Sequence, residues 1–76
     1  MVKKDSRDYL GAISDYTTAI QINPKYANAY SNRGIEKWKL GDNSGACKDY
    51  KKAISLGNKF TEEWLESDAG AWCRNM

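Results

Sequence analysis

The stretch DYLGAISDYTTAIQINPK at residues 8–25 returns, with substitutions, as DNSGACKDYKKAISLGNK at residues 42–59. At this offset of 34, Asp8, Gly11, Ala12, Asp15, Tyr16, Ala19, Ile20 and Lys25 fall on Asp42, Gly45, Ala46, Asp49, Tyr50, Ala53, Ile54 and Lys59. That is eight identities in 18 aligned pairs, where ordinary composition yields roughly one by chance. The register continues with aromatic on aromatic: Tyr26 on Phe60, Tyr30 on Trp64 and Trp38 on Trp72. A fixed period of this length marks an array of stacked supersecondary units.

Working outward, each copy has helical spacing. Tyr9, Ala12, Ile13, Tyr16, Ala19 and Ile20 form one apolar stripe, and Ala46, Cys47, Tyr50, Ala53 and Ile54 repeat it. Pro24 cannot continue a helix and biases Asn23 toward extended geometry. A second stripe, Ala27, Tyr30, Gly34 and Trp38, follows and ends at Gly41-Asp42, a turn and then a capping carboxylate. Gly57 stands where the next helix stops in a left-handed turn. Beyond it Trp64, Leu65, Ala69 and Trp72 are again spaced as on a helix. The spacing predicts four helices over 9–22, 27–40, 43–57 and 61–73, antiparallel because their connections are short. Ala12, Ala19, Gly34, Ala46 and Ala53 provide holes for Tyr16, Tyr30, Trp38 and Tyr50.

Composition narrows the function. Seventy-six residues make one domain, and 41% hydrophobic with 29% charged residues is ordinary for a globular chain. A net charge of +2 is too slight for a phosphate-binding field, so nucleic acid is not the expected partner, and neither is a membrane. The chain has no His, which removes the commonest general base and the commonest zinc ligand. No cofactor, metal or catalytic residue is expected. Cys47 and Cys73 do not form a CxxC pair or a disulfide framework, so reduced thiols are expected, with Cys47 a small buried thiol on its stripe. Met1 to Ser6 precede no apolar run of the kind a secretory signal carries, and the expected location is cytoplasmic.

The residues resemble the tetratricopeptide repeat family, whose 34-residue helix-turn-helix carries W-x2-L-G-x2-Y in its first helix and A-x3-F with a later P in its second. Ala12-x3-Tyr16 with Pro24 fits the second half, as does Ala46-x3-Tyr50 with Asn58 in the place of the proline. In the first helix Tyr30 stands for the tryptophan and Gly34 is kept, while Arg33 and Lys37 replace the leucine and tyrosine, and Trp38 is placed to recover lost burial. The register implies the second half of a repeat at 8–26, a complete repeat at 27–60 and a first-type, capping helix in 61–76. Asp68 takes the place of the small residue expected there, which points that helix toward solvent. The fold implied is an all-α, short right-handed solenoid of stacked helix hairpins.

The resemblance implies a non-enzymatic protein-binding module, a scaffold or adaptor whose first-type helices present a groove to a peptide or partner protein. Its expected walls are Asn28, Ser31, Asn32, Ile35 and Lys39, then Glu62, Leu65, Glu66, Ala69 and Cys73. Some members of the family grip a terminal carboxylate with asparagines and basic residues. Asn32 matches one of these, but Glu62 and Glu66 stand where cations are required, so that clamp is rejected and a Lys- or Arg-bearing partner is favoured. The rival reading is self-association, a homodimer through the 9–22 helix, because that helix lacks one usual neighbour and leaves Tyr9, Leu10, Ile13 and Ile20 to be covered. A small enzyme or redox protein using Cys47 or Cys73 is the third. The run Leu40-Gly41-Asp42 with Gly45-Ala46-Cys47-Lys48-Asp49-Tyr50 resembles bacterial versions of the repeat.

Overall fold

The computed structural model describes residues 6–67 and 70–74. Its helices are α1 (Ser6–Ile22), α2 (Ala27–Lys39), α3 (Asn43–Ser55), α4 (Lys59–Glu66) and α5 (Ala71–Arg74). The described residues are all helix and turn, and the helices stack antiparallel as a short solenoid, with α2 at its centre between α1 and α3. No helix among them is long and apolar enough to cross a membrane.

The turns explain why the helices stop where they do. After α1, the Asn23 side chain accepts from the Lys25 amide at 3.2 Å and its carbonyl accepts from Tyr26 at 3.0 Å, a compact reversal around Pro24. After α2, Gly41 takes φ +89°, and the amides of Gly41 and Asp42 donate back to the Trp38 and Lys37 carbonyls. The same motif follows α3, where Gly57 takes φ +98° and Gly57 and Asn58 donate to Ile54 and Ala53. Each is a Schellman closure that needs a residue without a side chain in the left-handed region. The residue completing each closure starts the next helix: Asp42 accepts from the Gly45 amide at 2.9 Å and Asn58 from the Thr61 amide at 3.0 Å.

The core lies between α2 and α3 and against the C-terminal helices. Ala29, Ala46, Cys47, Tyr50, Ala53 and Cys73 are buried, with Trp64, Leu65 and Trp72 packed against the α3 side. Gly34 is required by this approach, since a Cβ there would stand 2.8 Å from Tyr50 Cε1 and 3.0 Å from the Ala46 carbonyl. Tyr50 therefore fills the hole that Gly34 leaves, while Tyr16 and Tyr30 are half-buried.

The charged replacements in α2 have a specific role. Arg33 donates Nε and Nη2 to the two Asp49 carboxylate oxygens, both at 2.8 Å, and Lys37 Nζ lies 3.1 Å from Asp49. Arg33 Nη1 also donates to Thr17 Oγ1 at 3.2 Å, so one guanidinium joins α1, α2 and α3. Hydrogen bonding to Asp49 raises the Arg33 pKa above its ordinary value, against the lowering effect of burial.

Three expectations are corrected. The first helix already includes Ser6 and so reaches further back than expected, and the third ends at Ser55, because Leu56 and Gly57 belong to the closing turn. The expected continuous helix over 61–73 is two helices: α4 ends at Glu66, with Ser67 extended, and α5 starts at Ala71. Gly70 allows the return, since a Cβ there would collide with the Trp64 and Leu65 backbone. The two cysteines are not free thiols but a Cys47–Cys73 disulfide with Cα atoms 5.5 Å apart, buried at the centre of the α3–α5 contact. The readings placed on Met1 to Asp5, Asp68 and Ala69 lie outside the described residues.

Candidate functional site

The sequence of α2 divides its surface between two tasks. Arg33 and Lys37 turn toward Asp49 on α3, and the residues on the adjoining flank, Asn28, Ser31, Asn32, Ile35 and Trp38, face the far end of the stack. A groove of about 970 Å³ lies between this flank and the segment from Leu56 to Trp64, with Tyr50 and Trp72 also lining it. Two polar links tie its edges. Ser31 Oγ and Thr61 Oγ1 share a hydrogen bond of 2.9 Å, and Asn58 Nδ2 donates to Asn28 Oδ1 at 3.3 Å. The same Asn58 that caps α4 thus sets the spacing of the groove walls.

Aromatic surface dominates the lining. Tyr50 and Trp64 have ring centroids 4.9 Å apart, and Trp72 meets Trp64 edge-on at 5.9 Å. These contacts fix the rings against one another. Phe60 is 88% exposed and Trp38 51% exposed at the edges, a large apolar area left to water. Burial raises the Tyr50 pKa above the usual phenol value, with the nearby Asp49 charge adding to it, so the phenol is neutral at physiological pH.

Four of the ten expected wall residues lie at the groove, five lie elsewhere, and Ala69 is outside the described residues. Asn28, Ser31, Asn32 and Ile35 line the groove. Lys39 lies on the opposite side of α2, its ammonium 6.0 Å from the Tyr9 ring centroid and 3.8 Å from Glu36. Leu65 packs into the α3–α5 core, and Glu62 and Glu66 are exposed away from the groove. Cys73 is fully buried in its disulfide. Trp38, placed by the sequence in a packing hole, is a groove residue instead. Lys37 occupies the interface beside Asp49, and the next residue points about 100° around the helix. Phe60, Trp64 and Trp72 also line the groove and were not among the expected walls; only Trp72 has a lining residue, Trp38, as its counterpart at the offset of 34.

On α1, Leu10 is 55% exposed, whereas Ile13 and Ile20 are half-buried and Tyr9 is half-buried beneath Lys39.

A family model described as "TPR repeat" matches residues 5–41, and one described as "Tetratricopeptide repeat" matches residues 27–59. The chain belongs to the tetratricopeptide repeat family. Among its relatives, Tetratricopeptide repeat protein 36 of Danio rerio is 43% identical over 54 residues, covering 71% of this chain and 29% of the relative. Hsp70-Hsp90 organizing protein of Triticum aestivum is 41% identical over 61 residues, 80% of this chain and 10% of the relative. Small glutamine-rich tetratricopeptide repeat-containing protein 2 of Saccharomyces cerevisiae is 31% identical over 62 residues, 82% of this chain and 18% of the relative. This tetratricopeptide repeat chain spans less than a third of each of these proteins. All three are eukaryotic and lend no support to a bacterial origin. No solved structure matches the chain.

Proposed function

We propose that this chain is a non-enzymatic protein-binding module, an adaptor that holds an extended, largely uncharged and apolar segment of a partner protein between α2 and the Leu56–Trp64 segment. The observation that carries the reading is the aromatic groove of about 970 Å³ with amides at its edge. Trp38, Phe60 and Ile35 offer apolar contact, while Asn28, Asn32 and Asn58 offer donors and acceptors to a peptide backbone. Kinship with proteins named as an Hsp70-Hsp90 organizing protein and other repeat proteins supports a binding role over catalysis. The groove lining carries Lys59 but neither Glu62 nor Glu66, so the partner's apolar side chains, more than basic ones, decide the fit. Cytoplasmic residence remains the expected setting.

The test is selection of a displayed random peptide library on the disulfide-bonded protein. Apolar sequences should be enriched, and Ile35→Asp or Phe60→Asp should weaken their binding at least about tenfold without lowering Tm. Failure to enrich any sequence, or equal binding by both variants, refutes the groove as a peptide site.

Self-association through α1 is the second reading, supported by exposed Leu10 on a helix with α2 as its principal neighbour. Sedimentation at high micromolar concentration tests it: a dimer that Leu10→Lys dissociates supports this reading, and a monomer rejects it.

A further inference from the structure

The disulfide and the helix written into residues 61–73 exclude one another. Cys47 lies eight residues before the end of α3, about 12 Å along its axis, while Cys73 lies 14 residues beyond the start of α4, about 21 Å if the helix were unbroken. Tyr50 and Trp64, each five residues from the connecting turn, stand level in ring contact, so the two helices run antiparallel from it. An unbroken helix would carry Cys73 about 9 Å past Cys47, leaving their Cα atoms at least ~10 Å apart at ordinary helix spacing. A disulfide spans about 4.4–6.8 Å between Cα atoms, and this one has 5.5 Å.

We infer that Cys47–Cys73 is a redox switch for the groove, an inference that rests on the proposed binding role. Oxidised, the chain is broken after Glu66 and Trp72 is held on the groove wall. Reduced, α4 and α5 join into one helix like their counterpart α2, and Trp72 leaves the wall. On that helix Trp72 stands about 12 Å beyond Trp64, which parts the present 5.9 Å contact. The oxidised arrangement depends on its tie, because α5 has four residues, too few to hold helical form alone.

Cys47 is 3% exposed and borders a small surface cavity of about 240 Å³ with Ser44, Lys48 and Lys51, while Cys73 is fully buried, so a reductant reaches the bond from the Cys47 side when the α3–α5 contact opens. A dithiol reductant supplies the electrons. Its thiolate attacks Cys47 Sγ, the Sγ–Sγ bond breaks, and Cys73 leaves as a thiolate that takes a proton from water. The reductant's second thiol then loses its proton and displaces Cys47, which is protonated in turn. The reductant departs as a disulfide, so two electrons and two protons have passed to the protein.

The experiment compares the 76-residue chain, oxidised and with dithiothreitol, by NMR, with maleimide mass tagging to establish thiol state. Reduction should move the Cα shifts of Ser67 and Gly70 to helical values and remove Trp64–Trp72 ring cross-peaks. Cys73→Ser should show the reduced pattern without reductant. Unchanged shifts and cross-peaks overturn the switch, as does unfolding of both the reduced chain and Cys73→Ser, which would make the bond a staple. A peptide selected on the oxidised form should bind the reduced form about tenfold more weakly, and equal binding overturns the control of the groove. If selection yields no peptide, the binding role falls while the shifts still decide the conformational change.

Discussion

Asp49→Asn tests what holds α2 to α3. Asp49 receives two guanidinium bonds of 2.8 Å and an ammonium at 3.1 Å, and its side chain is 7% exposed. Removing one partner of a fully buried ion pair costs about 3–5 kcal/mol, because the other charge is left without compensation. Here Arg33 and Lys37 keep 17% and 23% exposure, so water recovers part of that loss. Asparagine keeps the shape and one acceptor, which brings the expected loss to about 2–3 kcal/mol. For a domain of this size that lowers Tm by roughly 10–20 °C. Urea denaturation at pH 7 followed at 222 nm measures it, with Arg33→Leu/Lys37→Tyr/Asp49→Asn as the companion. That triple variant should be more stable than Asp49→Asn alone, since it removes the stranded cations and restores the apolar residues of the repeat pattern. A loss below about 0.5 kcal/mol for Asp49→Asn, or a triple variant weaker than the single one, would refute the argument that the α2 cations are held by this carboxylate.

Gly34→Ala should cost about 1–3 kcal/mol, read from the urea midpoint, because the new methyl meets the Tyr50 ring and the Ala46 backbone carbonyl. Asp42→Ala should cost about 1 kcal/mol by losing its bond to the Gly45 amide, with little change in the groove as judged by NMR shifts of Asn28 and Asn32. Stability should be level through neutral pH and fall above about pH 10, the ordinary phenol value. The unfolded chain releases the Tyr50 proton before the folded one does, since the folded pKa is raised. Tyr50→Phe should flatten this alkaline limb in thermal melts from pH 8 to 11, and an unaltered limb would assign it to other groups.

The extent to which the fold could be read in advance follows from the range of each interaction. Helix periodicity and the turn residues Gly41, Asp42 and Gly57 act within a few positions, so they were legible and recur in the twin Schellman turns. Arg33 and Lys37 read as departures from the repeat because their compensation lies on another helix, at Asp49, a residue already visible as the counterpart of Asp15. The disulfide was illegible for a stronger reason. Its partners are 26 residues apart, and the helical pattern between them argued for a rod that would separate them. The expected residues on α2 other than Lys39 lie at the groove because the register of α2 is regular, while the chain breaks after Glu66 and brings Trp72 rather than Glu66 to it.

The paired stops and starts at Asp42 and Asn58 carry a consequence for descent. With the completing residue of one helix serving as the first of the next, there is no slack to absorb an added or deleted codon. A single insertion there would part the closing turn of one rod from the cap of the next, which now share one residue. Lineages bearing this module should therefore drift freely in spelling while keeping both junctions constant in length.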